Sequence, residues 1–291
     1  SIMNKTMAGI QQDELQSIIY QNTIYRREFS LKAFVMENVS MLRSDIHRFY
    51  MEESDLDIVE EYQIPNKNTP IHMLDAKYVF DGALEIVQNS DLLQQRLWPE
   101  NHYRELNIIY KGEKNTEKMK KSLRQHQHKL TEIAQIYIED DTDDHIAQKS
   151  REAFKAIMDY FAGTLEADKI HALIEPAIMI QRMLSKAKEV FDNHIHVDSY
   201  ECIEKDGLLA NIRSFAVFDY LKSILTSGED GYTINSGVLC AADFGAPQKR
   251  NRFIVMGIKK SISATVSLPF RKIKDGHYKT VRDAIFDLED V

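Results

Sequence analysis

Three polar side chains, Gln248, Arg250 and Arg252, stand two residues apart just after Pro247. In extended chain that spacing puts all three on one side of the pleat, with Lys249 on the other. One amide and two guanidiniums on one face form a rigid set of donors for a phosphate, a carboxylate or the edge of a base. Pro247 fixes the backbone that enters the cluster. A carboxylate, Glu37, sits at the end of a second informative stretch, Lys32-Ala-Phe-Val-Met-Glu-Asn-Val39. An apolar run bounded by polar residues suits a strand buried on both faces of a parallel sheet. Glu37 then falls near the carboxyl end of that strand, where ligands bind in open α/β sheets.

Other chemistry-bearing residues carry less. His126-Gln-His128 and His194-Ile-His196 have the spacing of some metal sites, but two residues apart on a helix they point to different faces. No third ligand stands nearby, and no metal is expected. Of the two cysteines, Cys202 and Cys240, the second reads as a small apolar side chain in a strand.

The elements that must position Glu37 and the Gln248–Arg252 cluster can be read coarsely. Asp13 to Arg27 has helical spacing, and Ala33–Glu37 follows as a strand. Helical patterns run over Ala76–Leu97, Thr116–Ile138, Asp144–Phe161 and Leu165–Phe191, the last with Pro176 inside, which predicts a kink or break near Glu175. Ile64–Pro70 reads as a loop. Leu208–Leu225 reads as an amphipathic helix, Tyr232 begins a strand, and Phe253–Ile258 and Thr265–Leu268 read as further strands.

The segment Val238-Leu239-x-Ala241-Ala242-Asp243-Phe244-Gly245-x-Pro247, together with Gln248, Arg250 and Arg252, resembles the Gln-x-Arg-x-Arg motif of the DNA (cytosine-5) methyltransferases and its flanks. Glu37-Asn38-Val39 resembles the Glu-Asn-Val motif of the same family, in the family's chain order. Thr280–Leu288 resembles the helix that precedes the family's target-recognition domain. The resemblance covers about residues 12–43 and 215–288. It implies part of a class I methyltransferase (Rossmann-like) α/β sheet. The two motifs stand 211 positions apart, against a few tens in the family, which implies a large, mostly α-helical insertion. The expected division is methyltransferase core at 1–43, helical insertion at 44–206, and core again at 207–291.

By the same resemblance the target cytosine is flipped out of double-stranded DNA and attacked at C6 by a cysteine thiolate. Glu37 would bond N3 and the exocyclic amine, Arg252 would bind O2, and Arg250 would hold a phosphate or the nucleophile loop. Gln248 and Asn38 join Arg250 as substrate-binding residues. The methyl donor is S-adenosylmethionine. The family's Pro-Cys-Gln nucleophile loop and its Gly-rich cofactor loop have no counterpart in these residues. The chain therefore reads as an interior fragment, inactive alone, with the cofactor bound mainly elsewhere and a second polypeptide or copy completing the sheet. The competing reading is a non-catalytic protein-interaction module, in which the helical insertion binds a partner and the sheet is scaffold.

Composition is compatible with either. The 291 residues are 43% hydrophobic and 28% charged, as in ordinary soluble domains. No apolar run approaches the length of a membrane span, and two cysteines argue for a reducing cytoplasm over a disulfide scaffold. The net charge of −8 is the wrong sign for a phosphate-binding protein, but it is unevenly spread. Pro247 to Lys274 holds eight Lys or Arg and no acid, whereas Glu52–Asp57 and Glu139–Asp144 are acidic and expected to be solvated helix surface.

Overall fold

A computed structural model describes residues 31–40, 48–112, 116–273 and 276–286. The helix expected at Asp13–Arg27 lies outside these. In chain order the described residues form β1 (Ala33–Val39), β2 (Arg48–Tyr50), α1 (Leu56–Glu61), β3 (Asn66–Asn68) and β4 (Ile71–Leu74). Six helices come next: α2 (Ala83–Gln88), α3 (Ser90–Arg96), α4 (Glu100–Tyr110), α5 (Thr116–Ile138), α6 (His145–Phe161) and α7 (Ala167–Asp192). The chain continues through β5 (Val197–Ile203), β6 (Gly207–Ala216), α8 (Val217–Thr226), β7 (Tyr232–Cys240), β8 (Asn251–Lys259) and α9 (Val281–Ile285). The class is mixed α/β. None of the described helices is long and apolar enough to cross a membrane.

Contacts divide the chain into two units, residues 1–68 with 213–291, and residues 69–212. The cuts expected at 44 and 206 differ from these, because residues 48–68 pack with the first unit. Met51 donates its N–H to the Arg213 carbonyl at 2.9 Å. β2 and β3 pair with residues 213–216 of β6, so the stretch expected as a loop at Ile64–Pro70 holds a short strand.

In the first unit β8 is the middle strand of three. It pairs antiparallel with β1 on one side and with β7 on the other. β1 and β7 therefore run parallel to each other without pairing, though the Phe34 and Tyr232 rings meet edge to face at 5.1 Å, and every strand pairing among the described residues is antiparallel. The expectation for β1 fails on this point. Its alternation is that of a half-buried strand: Phe34 is 8% exposed and Val35 60%. The buried face carries Phe34, Phe253, Val255 and Tyr232, and α8 supplies Val217, Tyr220, Leu221, Ile224 and Leu225 at helical spacing to cover it. Phe34 lies on β8 at Gly257, its register partner; a Cβ there would come within 2.3 Å of the ring.

Two further expectations change. Leu208–Leu225 is not one helix: residues 207–216 form a strand and the helix begins at Val217. Ala210, Ile212 and Ser214 are buried while Asn211 and Arg213 are half-buried, the two-residue period of a strand flanked on both sides. Thr265–Leu268 forms no ladder; Val266 is held instead by Asn235, whose side-chain amide donates to its carbonyl at 3.0 Å.

In the second unit α4 to α7 enclose an aromatic centre. Trp98, Tyr137 and Phe154 lie 4.8 to 5.3 Å apart between ring centroids, with Tyr137 and Phe154 stacked. β4 and β5 pair with residues 207–212 of β6. The pattern at Ala76–Leu97 resolves into two short helices separated at Asn89, whose side chain caps α3 through the N–H groups of Asp91 and Leu92. Pro176 does not break α7, which runs unbroken over 26 residues.

The acidic stretch at 139–144 is structural rather than merely solvated. Asp144 caps α6 through the Ala147 N–H at 2.8 Å and meets Arg96 at 2.6 Å. Asp140 accepts from the hydroxyl and the N–H of Thr142, and these bonds hold its carboxyl below the usual range. A depressed folded pKa means stability that is full above the ordinary carboxylate range and is lost as pH falls through the folded value. Asp140→Asn is expected to lower the melting temperature at pH 7, with the gap to wild type narrowing once pH falls below the ordinary carboxylate range and closing only through the lower folded value. A gap that stays constant through that fall in circular dichroism melts would refute the assignment.

Candidate functional site

Register alone brings two of the singled-out residues together. Val39 stands opposite Arg252 and Glu37 opposite Ile254, so Glu37 and Arg252 are diagonal neighbours on one face. Arg252 Nε lies 2.7 Å from Glu37 Oε1, and Arg252 Nη1 also donates to the Asn251 carbonyl at 3.2 Å. The Glu37 side chain is 60% exposed and that of Arg252 23%. An ion pair this open contributes only about 0.2–1 kcal/mol, so an entering ligand separates it at little cost. Asn38 falls on the opposite face of β1, the side of Phe34 and Met36, and does not join the pair.

The other two members of the cluster are placed differently from expectation. β8 begins at Asn251, so of the three only Arg252 lies in the strand. Arg250 is exposed, and its carbonyl accepts the Ala241 N–H at 2.9 Å, one step beyond the ladder. Gln248 lies in the bend after Pro247. The cause is the turn between β7 and β8: Ala241–Phe244 form a 3-10 turn that ends on Gly245 at φ 101°, a conformation open chiefly to glycine. The common face expected for Gln248, Arg250 and Arg252 does not form, and Lys249 has no separate side.

Gln248 and Lys249 instead line a cleft of about 510 Å³ with Ala242, Pro247, Tyr278, Lys279 and Thr280. Lys249 Nζ stands 5.3 Å from the Tyr278 ring centroid. Thr280 caps α9 and shares a capping box with Asp283, whose carboxyl is held low chiefly by the Thr280 N–H. Tyr278 and Lys279 were not singled out by sequence reasoning; they are isolated polar residues about thirty positions from the motif, and the cap at Thr280 was the available signal.

The basic stretch expected as one patch is divided. Lys259 Nζ donates to the Asp230 carbonyl, and Lys260 Nζ to those of Thr226 and Gly228, so both serve the turn after α8. Lys249, Arg250 and Arg252 belong to the other end of β8. Among the histidines, His126 meets Glu105 at 2.5 Å, His128 meets Glu132 and His196 meets Asp198. Among the described residues no three His, Cys, Asp or Glu side chains gather as a metal site would need. Cys240 ends β7 opposite Asn251, and Cys202 is exposed.

The arrangement offers a carboxyl group and a guanidinium side by side at adjacent strand ends. Such a pair can meet a ligand edge that presents an acceptor to the guanidinium, and both an acceptor and a donor to a protonated carboxyl. Residues 211–291 match the family model for the C-5 cytosine-specific DNA methylases. The matched segment includes Gln248, Arg250 and Arg252, while Glu37 lies outside it. No curated protein and no solved structure matches the chain.

Proposed function

We propose that residues 211–291, the segment of the C-5 cytosine-specific DNA methylase family, form with strand β1 one catalytic edge of a DNA cytosine-5 methyltransferase. The observation that carries this reading is the 2.7 Å contact between Glu37 and Arg252, which joins a strand outside the matched segment to one inside it. Cytosine presents an O2 acceptor, an N3 acceptor and an exocyclic amine donor in that order along one edge. Arg252 donates to O2; Glu37, when protonated, donates to N3 and accepts from the amine. Uracil carries an acceptor in place of the amine and meets the carbonyl oxygen of Glu37 unfavourably, so the pair also selects the base.

A flipped base is needed, because C6 is unreachable within the stack. When a thiolate adds to C6, its sulfur–carbon bond forms as the C5–C6 π pair shifts, and electron density at N3 and O2 rises. Glu37 and Arg252 stabilise that density where it develops. Arg250, exposed beside them, serves the DNA backbone or the loop that carries the thiolate. The thiolate comes from a part of the enzyme outside these 291 residues, in the same polypeptide or in a second one. Among the described residues β1 pairs on one side only and exposes Val35, which supports a neighbour completing the sheet.

S-adenosylmethionine, the family's methyl donor, does not fit what the described residues offer. The sequence has no Gly-x-Gly loop, and the cleft beside the turn carries two lysines, which repel a sulfonium. Its binding belongs to the remainder of the enzyme. The insertion reading for the second unit rests on the 211-position gap between the motifs. The test is calorimetric: the 291 residues alone should show no micromolar affinity for S-adenosylmethionine and transfer no methyl to duplex DNA, and should gain both when a polypeptide carrying the thiolate and the cofactor loop is added. Tight cofactor binding by the chain alone would sink the division of labour proposed.

A further inference from the structure

Asp243 makes four contacts with a segment about thirty residues further along the chain. Its carboxylate oxygen Oδ1 accepts the Tyr278 hydroxyl at 2.8 Å and lies 3.2 Å from Arg271 Nε. Its backbone carbonyl accepts the N–H groups of Lys272 and Ile273 at 3.0 and 2.9 Å. Arg271 completes the link, donating to the Tyr278 hydroxyl and to the Ile273 carbonyl, each at 2.6 Å. The four Asp243 contacts tie the turn after β7 to residues 271–273 and to Tyr278, and Arg271 joins those two stretches to each other. The Asp243 side chain is 20% exposed and that of Arg271 41%, so solvent screens the ion pair in part and the Tyr278 hydroxyl bond to the carboxylate is the better shielded of the two.

The consequence is the cleft. With Tyr278 fixed, its ring stands under Lys249, and Lys279 and Thr280 face Gln248 and Lys249 across the opening. Two lysines, an amide, a phenol and a threonine make its polar lining, with no acid among the described residues that line it. Arg271 adds no net charge there because Asp243 neutralises it. Asp283 stands nearby but is occupied by the Thr280 N–H and hydroxyl, both at 2.8 Å. The cleft therefore calls for a small anion with several acceptor oxygens. Gln248 is four residues from Arg252, so cleft and base-binding pair lie within about 14 Å along the chain. That is the scale of a few nucleotide steps at about 3.4 Å per step.

We propose that Asp243 is a positioning residue that latches residues 271–273 and 276–280 across the turn, and that the cleft so formed holds one phosphodiester of the nucleic-acid substrate. The proposal rests on the reading of this chain as part of a DNA methyltransferase, and it adds a backbone contact separate from the reacting base.

The experiment is fluorescence anisotropy of the 291-residue chain with a 20-base-pair duplex from 25 to 200 mM KCl. The readout is the slope of log affinity against log salt, which a purely structural role would not move. Lys249→Ala with Lys279→Ala should weaken binding about tenfold at 50 mM and reduce the slope by about 0.9, the value for one phosphate contact. Asp243→Ala combined with Arg271→Ala, which opens the latch without adding net charge, should reproduce that loss of slope although both lysines remain. Tyr278→Phe, which keeps the ring and removes one hydroxyl, should fall in the same direction and serves where the alanine variant does not fold. A lysine pair whose removal leaves the slope unchanged overturns the cleft while leaving the methyltransferase reading intact. A slope lost with the lysines but kept in both the Asp243→Ala, Arg271→Ala pair and Tyr278→Phe overturns the latch. A chain that binds inorganic pyrophosphate through Lys249 and Lys279 but binds no duplex overturns the nucleic-acid assignment, and with it the reading it rests on.

Discussion

Glu37→Gln is expected to slow methyl transfer about 100- to 1000-fold in the enzyme that contains these residues with its nucleophile, while changing duplex affinity less than threefold. The asymmetry follows from what the amide retains. Glutamine has the same shape, can still donate to N3 through its NH2, and can still accept from the exocyclic amine through its oxygen. It cannot give up a proton as density builds on the ring, so its loss appears in the transition state and not in the ground state. The fold should hardly respond, since the ion pair with Arg252 that is lost is 60% exposed on the Glu37 side. Arg252→Ala differs in a diagnostic way. O2 is an acceptor before and after attack, so its loss should cost both rate and affinity for the flipped base. Single-turnover rates measured beside duplex affinities separate the two cases. Equal losses of rate and binding for Glu37→Gln would remove Glu37 from the proton step.

The residues of that pair were legible from sequence because their local context carries them. Glu37 closes a short apolar run, and Arg252 opens another after a Gly-x-Pro turn. Their contact across an antiparallel register was not legible. The run at 33–39 reads equally well as a doubly buried parallel strand, and it takes the antiparallel ladder with β8 and the exposure of Val35 to tell the two apart. Gln248 was assigned to the same face because alternation assumes extended chain, and the 3-10 turn with Gly245 in the left-handed region withholds that geometry until Asn251. Asp243 was visible as part of the motif, but its partner Tyr278 lies 35 positions away and nothing local connects them. β6 was read as helix because Ile212, Phe215 and Phe218 happen to keep a three-residue spacing across the real boundary at Val217. A pattern of side chains cannot report whether neighbours on both sides will satisfy a backbone, and that is what makes residues 207–216 a strand.

Gln181→Leu is expected to destabilise the helical unit by about 3 kcal/mol. Gln181 is 1% exposed in the middle of α7 and reads as an error in an apolar stripe. Its two ends explain it. Oε1 accepts the Trp98 N–H at 2.8 Å, and Nε2 donates to the Arg96 carbonyl at 3.0 Å. Those groups lie where α3 has just ended, so neither has a partner within its own helix. Leucine fills nearly the same volume but leaves a donor and an acceptor buried and unmet, at about 1–3 kcal/mol each. The melting temperature followed at the helical dichroism band should fall by about 10 °C. Gln181→Glu separates this account from simple packing. Ionised, it keeps the acceptor for Trp98 but faces the Arg96 carbonyl with a second oxygen, and burial favours its neutral form. A folded pKa raised in this way means stability that returns as pH falls through that value, because the protonated acid again donates to Arg96. The glutamate variant should therefore be much weaker than wild type at pH 7 and recover most of the difference toward pH 5. A glutamate variant equally weak at both, or a leucine variant as stable as wild type, would show that the amide is not what joins α3 to α7.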